Sequence, residues 1–402
     1  MTTAPPRRDD TDDRSRNRPF RFLLAGTVAV FGNLSLLLAV VPLWAEEGGG
    51  GHGGAGATTA VTMAATVAAQ LCMGLVLRRT AARRALALGT LTMGLPAFAY
   101  ALSDGLTWTL AVSAVRGLGF GMVTVAGSAL VAELVPESRR GRAVGQYGVA
   151  IGIPAVASLP VGAWAADTFG YTPVFVVAGA LGVLAAPLSA SARGTLPPPE
   201  RTREREQGRG RGRRGNDSLR PFLTPWTLLF VSVGTFGSLA SFLPLALTAP
   251  GAAPAGLFAL STALIAGRWA AGVRNDRRGG AGRLAAPSGL LCALGMLGFG
   301  AAGAVPEPLS LPLALLAGAA HGFGLGALQN DTLVAMFHRA GPGRHGVASA
   351  VWNSAYDAGF GTGALTTGLL SQSLNLPLHA TFLILTATLT LTATATLRRT
   401  SP

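Results

Sequence analysis

The stretch VWNSAYDAGFGTG, residues 351–363, places an acidic side chain inside an apolar part of the chain. Asp357 lies near its middle, with Asn353 one helical turn earlier and Tyr356 beside it. A charge at membrane depth is costly and is tolerated mainly where it faces a partner or a cavity. Such an aspartate can take up a proton when one side is open and release it on the other. The alternative is structural, in which Asp357 pairs permanently with an arginine or caps a broken helix.

Two more ionisable side chains occupy matching positions in the two halves of the chain. Arg116 begins the segment RGLGFG, and His321 begins HGFGLG, with three glycines in step. Histidine changes its charge most readily near neutral pH, which suits a proton pathway. A buried neutral histidine bonded to a carbonyl remains the alternative reading.

Amide side chains add hydrogen-bonding groups at membrane depth. Gln329 and Asn330 follow His321 on the same apolar run, and Asn33 lies midway through the first run, in FGNLSLLLAVVPLW. Lipid would penalise these groups. We therefore expect them to face a cavity or a gate.

Long apolar runs must position these residues. Half of the 402 residues are hydrophobic and the mean hydropathy is +0.44, which is too apolar for an ordinary soluble protein. Crossing a hydrocarbon core takes roughly 20 apolar residues. Twelve such runs predict an all-α integral membrane protein with twelve transmembrane helices. Their approximate spans are 22–45, 58–77, 85–103, 108–134, 143–165, 172–192, 222–248, 254–273, 284–304, 309–335, 346–370 and 376–397.

The arginines that give the chain its net charge of +14 fall mostly in segments on one side of the membrane. With a cytoplasmic N-terminus, every arginine outside the runs falls on cytoplasmic segments, and the opposite loops contain none. This is the positive-inside pattern, so both termini are expected in the cytoplasm and nucleic acid is not expected as a partner. The absence of lysine fits a GC-rich bacterial genome. The arginine-bearing segments are 7–21, 78–84, 139–142, 193–220, 274–283, 339–344 and 398–399.

A long polar interruption divides the chain into two halves of six runs. The prediction is a disordered cytoplasmic tail over 1–21, an N-terminal six-helix bundle over 22–192, a cytoplasmic linker over 193–221, a C-terminal six-helix bundle over 222–397 and a tail over 398–402. The linker contains GRGRGRRG, residues 208–215, which could bind nucleic acid or anionic lipid. We expect it to be a solvated segment that sets topology.

The segment GVRNDRRGG, residues 272–280, lies between the eighth and ninth runs. Its glycine, the acid four residues later, the following basic residue and the second glycine are Gly272, Asp276, Arg277 and Gly279. This pattern resembles the cytoplasmic loops of the major facilitator superfamily. The first-half copy, GLVLRRTAARR, departs from it, since Arg78 stands where the acid should be and Ala81 where the second glycine should be.

The resemblance implies two pseudo-symmetric six-helix bundles and alternating access. It implies a cavity lined by the first, fourth, seventh and tenth spans, and it matches Arg116 to an arginine associated with proton-coupled members. It also implies that the Gly272 segment acts as a gating latch against the start of the fifth span, near Gly141 and Arg142. Because the first-half copy is degenerate, we expect gating to be uneven between the halves.

The expected function is a secondary transporter of the bacterial cytoplasmic membrane, with a small-molecule solute, protons and membrane lipids as partners. No phosphate-binding loop, nucleophile triad or metal-ligand cluster occurs, and Cys72 and Cys292 lie within spans. No enzymatic activity, cofactor or metal is therefore expected. Proton-coupled efflux of a drug or metabolite is the leading expectation. Import by symport or facilitated diffusion is the first alternative, and a non-transporting membrane sensor or assembly partner is the second.

Overall fold

The computed structural model describes residues 10–135, 140–192, 220–278, 282–340 and 345–400. Within those ranges the chain is helical, without a β-strand, and each predicted span corresponds to one α-helix. A π-helix, Glu46–Gly50, joins the first two helices, and a short 3-10 helix, Tyr100–Leu102, follows the third. The helices are α1 Asp10–Ala45, α2 Gly51–Arg79, α3 Ala82–Ala99, α4 Leu106–Leu134, α5 Arg140–Phe169, α6 Tyr171–Ser191, α7 Arg220–Ala246, α8 Ala252–Arg278, α9 Ala285–Ala302, α10 Glu307–Ala340, α11 His345–Ser373 and α12 Leu378–Thr400.

Most of these helices are long and apolar enough to cross a bilayer, where a helix satisfies its own backbone hydrogen bonds. Among the described residues, 10 stretches are long and apolar enough, and one of them, Arg18–Leu77, covers most of α1 and α2. α11 is the helix without such a stretch, because polar residues and glycines are spread along it. The composition that keeps α11 from being apolar enough is the same composition that supplies Asn353 and Asp357.

Some helices extend into segments that were predicted to be tails or linker. α1 begins at Asp10, so residues 10–21, expected to be a disordered tail, are helical. α7 already begins at Arg220 and α12 continues to Thr400. Arginine favours helix, and polar turns extend these helices beyond their apolar runs. Residues 1–9, 193–219 and 401–402, which carry the rest of those predictions, lie outside the described residues.

Helix packing in the first six helices recurs in the last six. α1 packs against α5 and α6, α2 against α4, and α3 against α4 and α6. In the same order, α7 packs against α11 and α12, α8 against α10, and α9 against α10 and α12. The two sets meet mainly where α2 packs on α11, and also where α5 packs on α8 and α1 on α7.

Successive helices run in opposite directions, so the start of α1 and the end of α12 lie on one face of the bundle, which we call the terminal face. The corner between α1 and α2 lies on the other face, which we call the opposite face. Along α2 and α11, Gln70 meets Asp357 towards the terminal face, and His52 lies beside Gly368 near the opposite face. The two helices are therefore antiparallel partners across the interface between the two sets.

Candidate functional site

A cavity of about 810 Å³ lies between the two sets of helices. Its lining residues come from α1, α2, α4 and α5 in the first set and from α7, α8, α10 and α11 in the second. They lie in the middle of the bundle and in the half nearer the terminal face. Its polar lining includes Ser35, Gln70, Thr124, Arg268, Gln329, Asn330, Asn353, Tyr356 and Asp357. Its aromatic lining is Phe31, Phe120, Tyr147, Phe236, Trp352, Tyr356 and Phe360.

Asp357 lies in this cavity wall and is 6% exposed. Its Oδ2 accepts a hydrogen bond of 2.8 Å from Nε2 of Gln70 on α2. The same Gln70 nitrogen lies 3.2 Å from Oγ1 of Thr124 on α4. No cation of the described residues forms an ion pair with Asp357. The carboxyl group therefore bonds a neutral amide across the interface between the two sets of helices, without the arginine partner of the structural alternative.

Arg268 enters the same cavity from α8. Its Nη2 donates a hydrogen bond to Oε1 of Gln329, which lies on α10 and is 1% exposed. The packing of α8 on α10 positions this pair, because Gly326 and Gly267 let the two backbones approach closely. A Cβ on Gly326 would lie 2.0 Å from the Leu264 carbonyl oxygen, and one on Gly267 would lie 2.1 Å from that of Phe323.

Asn353, Tyr356 and Asn330, which were expected on the solute or proton pathway, also line the cavity. Asn353 is exposed, and its Nδ2 donates to the Ser349 carbonyl at 2.9 Å. The ring of Tyr356 stacks on Trp352 with centroids 5.6 Å apart. The cavity therefore combines amides and a carboxylate with flat aromatic surfaces.

The opposite face is closed where α2 packs on α11. His52 Nδ1 lies 2.6 Å from Oγ of Ser371, and the Gly53 amide donates to Oε1 of Gln372 at 2.6 Å. His52 Nε2 also lies 3.1 Å from Oε1 of Glu46, at the corner between α1 and α2. These contacts are polar and lie at the ends of the helices, while glycines hold the two backbones close along the interface.

Comparison with known proteins assigns the chain to a family. The profile of the Major Facilitator Superfamily matches residues 23–364. The chain belongs to the major facilitator superfamily. No curated protein sequence matches it.

Solved structures of the superfamily share the fold at low sequence identity. A bacterial homologue of the human lysosomal transporter Spinster, inward-facing and unoccupied, aligns with a TM-score of 0.71 at 15% identity, over 95% of each chain. A POT family transporter in complex with 5-aminolevulinic acid aligns at 0.71 and 13%, over 96% of each chain. The nucleoside transporter NupG, in a mutant form, aligns at 0.70 and 12%, over 94% of this chain and 100% of its own.

Arg116 and Asn33, both expected to lie on the solute or proton pathway, are outside the large cavity of this superfamily member. Arg116 Nη2 donates to Oδ1 of Asn33 at 2.9 Å, and Nη1 and Nε lie 3.3 Å from the Tyr100 hydroxyl and the Met93 carbonyl. Asn33 in turn donates to the Ala178 carbonyl at 2.6 Å. These hydrogen bonds join α1, α3, α4 and α6, so the network connects helices within the first set.

Arg116 does line a second, much smaller cavity of about 20 Å³. That cavity shares Leu34, Leu38 and Met63 with the large one and extends from them towards the opposite face. These three apolar side chains therefore separate the large cavity from the one that Arg116 lines.

His321, the third ionisable residue expected on the pathway, is fully buried. Its Nδ1 lies 3.0 Å from the Cys292 carbonyl oxygen, and its Nε2 lies 3.5 Å from Oγ1 of Thr235. It does not line either cavity. The arrangement is the buried, carbonyl-bonded histidine that the sequence left open as the alternative.

The motif expected to act as a gating latch continues α8. Gly272, Asp276 and Arg277 are helical, while Gly279 and the side chain of Asp276 lie outside the described residues. Nearby, Nδ2 of Asn275 lies 3.2 Å from Oδ1 of Asn330. The described contacts of the motif are within the last six helices. Gly141 and Arg142, the expected latch partners, lie in the first turn of α5, and the side chain of Arg142 is outside the described residues.

Asp331 anchors the turn that follows the motif. Its carboxylate accepts hydrogen bonds from the backbone amides of Gly282, Leu284 and Ala285 at 3.0, 2.9 and 2.7 Å. The Leu284 and Ala285 amides lie at the N-terminus of α9, whose donors have no partner within the helix, and the Gly282 amide lies in the preceding turn. A negative charge at this position stabilises the connection between α8 and α9.

Sequence reasoning missed both Gln70 and Arg268 as cavity residues. Each residue stands four positions before the first glycine of its own copy, Gly74 in the first half and Gly272 in the second. The internal repeat therefore contained a signal for both, because four residues is about one helical turn and keeps a side chain on the same face.

Proposed function

We propose that the chain is a secondary active transporter of the bacterial cytoplasmic membrane. In this proposal it exports a small organic solute by alternating access, with the export driven by protons that enter through Asp357. The single observation that carries the proposal is the acidic side chain of Asp357 in a cavity between two sets of helices, bonded to a neutral amide.

The hydrogen bond between Gln70 and Asp357 supports coupling between protonation and conformation. An ionised carboxylate only accepts hydrogen bonds, whereas a protonated carboxyl group also donates one. Proton uptake therefore changes the contact that joins α2 of the first set to α11 of the second. A proton that binds Asp357 more tightly in one conformation than in the other shifts the balance between the conformations by that difference in affinity.

Several features support the proposed sidedness. The helix ends and loops at the opposite face carry Glu46, Glu47, Asp104 and Asp167 and no arginine, while the arginine-bearing segments lie at the helix ends of the terminal face. The positive-inside rule makes the terminal face cytoplasmic. The large cavity lies towards that face, and the contacts of His52 close the other one, as expected for a conformation that faces the cytoplasm.

The recurrent packing of α1–α6 in α7–α12 supports two pseudo-symmetric bundles, which is the arrangement that alternating access requires. Two structural neighbours support a small organic solute, since one was solved with 5-aminolevulinic acid and another is a nucleoside transporter.

The experiment uses inverted membrane vesicles with an acidic interior and a dye that reports the pH gradient. A panel of small organic compounds is added to wild type and to Asp357→Asn. We expect at least one compound to dissipate the gradient in wild type and none to do so in Asp357→Asn. Asp167→Asn is the matched control, because it neutralises an exposed acid at the opposite face and should behave as wild type.

Two results would contradict the proposal. Accumulation of a compound in right-side-out vesicles, driven by an inward proton gradient, would establish import by symport in its place. No response to any compound, with folded protein shown to be abundant, would favour the non-transporting alternative, which also predicts that Asp357→Asn leaves function intact.

A further inference from the structure

The charges that line the large cavity are one arginine and one aspartate among the described residues. Each bonds a neutral amide: Arg268 donates to Gln329, and Asp357 accepts from Gln70. Neither forms an ion pair with a described residue. The cavity therefore presents two charges that the described side chains leave uncompensated.

The two charges are not equivalent. Arginine stays protonated under all physiological conditions, whereas a carboxylate is neutral once it has taken up a proton. Arg268 therefore carries its positive charge in both protonation states of Asp357, with a neutral amide as its described partner. A cation taken out of water is costly unless it is paired and hydrogen-bonded.

Gln329 adds a second donor next to the arginine. Its Oε1 accepts from Arg268, while its Nε2 is buried near the Tyr356 side chain and makes no hydrogen bond of ordinary geometry with a described residue. A buried polar atom left without a partner is uncommon in native structures. The guanidinium fork and the free N–H groups of Gln329 together form a set of donors that a carboxylate on a ligand would satisfy.

The rest of the lining is suited to an apolar ring. Phe31, Phe120, Phe236 and Phe360 line the cavity together with the stacked pair of Trp352 and Tyr356. A volume of about 810 Å³ is in the range of sites for drug-sized organic ligands and is far larger than an inorganic anion needs.

We infer that the solute is an organic acid with an aromatic or otherwise apolar body, whose anionic group binds Arg268 and Gln329. The inference rests on the proposed function, since it takes the large cavity to be the solute site. It assigns Arg268 the recognition of charge and leaves Asp357 to carry the proton.

The test compares compounds that share one phenylpropyl skeleton and differ in the head group, which is anionic, neutral or cationic. The set is 3-phenylpropanoate, its uncharged amide 3-phenylpropanamide, and the cation 3-phenylpropylamine. Binding to the full chain purified in detergent is measured by calorimetry, without any transport step. We expect the carboxylate to bind about tenfold to hundredfold more tightly than the amide, as hydrogen bonds to a charged group allow, and the amine to bind most weakly.

Two variants test whether Arg268 and Gln329 cause the preference for the carboxylate over the amide. Arg268→Gln should bring the carboxylate and the amide to equal affinity. Gln329→Glu is nearly isosteric and places an acid where Oε1 now accepts from the arginine, so it should remove the preference while the chain stays folded. Arg274→Gln is the matched control, because it removes an exposed arginine of the same helix and should leave the preference unchanged.

The inference is overturned if the amine binds more tightly than the carboxylate, which would make Asp357 the anchor of a cationic solute. It is also overturned if the carboxylate and amide bind equally, if Arg268→Gln keeps the preference, or if no compound shows saturable binding at millimolar concentration. Tighter binding of the carboxylate than of the amide, together with a lack of transport, would refute only the proposed function. Transport of a cation with an intact proton response would refute only this inference.

Discussion

Replacing Gly56 by alanine should push the transporter away from the conformation described here. Gly56 lies on α2 where it packs against α11, in the interface that closes the opposite face. A Cβ at Gly56 would lie 2.4 Å from the Ala364 carbonyl oxygen and 3.0 Å from its carbon. Both are backbone atoms, so no side-chain rotation relieves the overlap. The two helices must separate by about 1 Å to restore an ordinary contact.

The structure sets the scale of the effect. Overpacking of a tight interface costs about 1–3 kcal/mol. The contact closes the opposite face, so we expect this cost to be relieved when that face opens. The ratio of the two conformations should then change by about 5- to 150-fold. Gly74→Ala is the control, because Gly74 lies on the same helix and a Cβ there would have nothing within 4 Å.

The assay measures how readily the large cavity is reached from the terminal face, which is the cytoplasmic face in the proposed sidedness. Asn353 lines the cavity and is exposed, so Asn353→Cys supplies a reactive thiol. Cys72 is exposed and is changed to serine, while Cys292 is buried. Inverted vesicles are treated with a membrane-impermeant maleimide. With Gly56→Ala we expect slower alkylation, because a smaller fraction of the molecules has the cavity open; a fivefold change from equal populations lowers that fraction by about threefold. With Gly74→Ala we expect the unaltered rate. Equal rates for the two variants, both folded and equally abundant, would refute the assignment of this interface as the closed gate.

Two further predictions follow from the helix contacts and from the loops. Arg116→Leu removes the hydrogen bonds to Asn33, Tyr100 and Met93 and should lower the free energy of unfolding by about 2–4 kcal/mol, because buried partners are left unpaired. Denaturation in mixed micelles measures this loss, with Arg274→Gln as the control. An unchanged free energy of unfolding would contradict a structural role for Arg116. In intact cells of a Cys72→Ser chain, a cysteine at Ser103 should react with an impermeant reagent and one at Thr80 should not, since they lie in loops at the opposite and terminal faces. The reverse labelling pattern would show that the proposed sidedness is inverted.

Much of the fold could be predicted because a membrane restricts what a chain can do. Long apolar runs can cross it only as helices, so the position of each span followed from composition alone. The helix ends were less well predicted: residues 10–21 were expected to be a tail, yet they continue α1 as helix. Local composition carries no sharp signal for where a polar helical turn stops beyond the apolar run.

The candidate site was predicted only in part. Asp357, Asn353, Tyr356, Gln329 and Asn330 were expected in a cavity, and the structure brings them together there. Each is a polar group in an apolar run, which is a signal that the sequence contains. The same signal also singled out Asn33, Arg116 and His321, whose side chains bond other groups inside the helix bundles.

The sequence by itself determined that the chain is a membrane protein, where its helices lie, and which polar residues must find partners away from lipid. Only the tertiary structure decided which partner each one has. Arg116 is bonded to Asn33 within one set of helices, whereas Arg268 and Asp357 meet amides at the cavity between the sets. The physical reason is that lipid penalises every unpaired polar group alike. Whether a partner comes from a neighbouring helix or is left for a solute depends on how the helices pack.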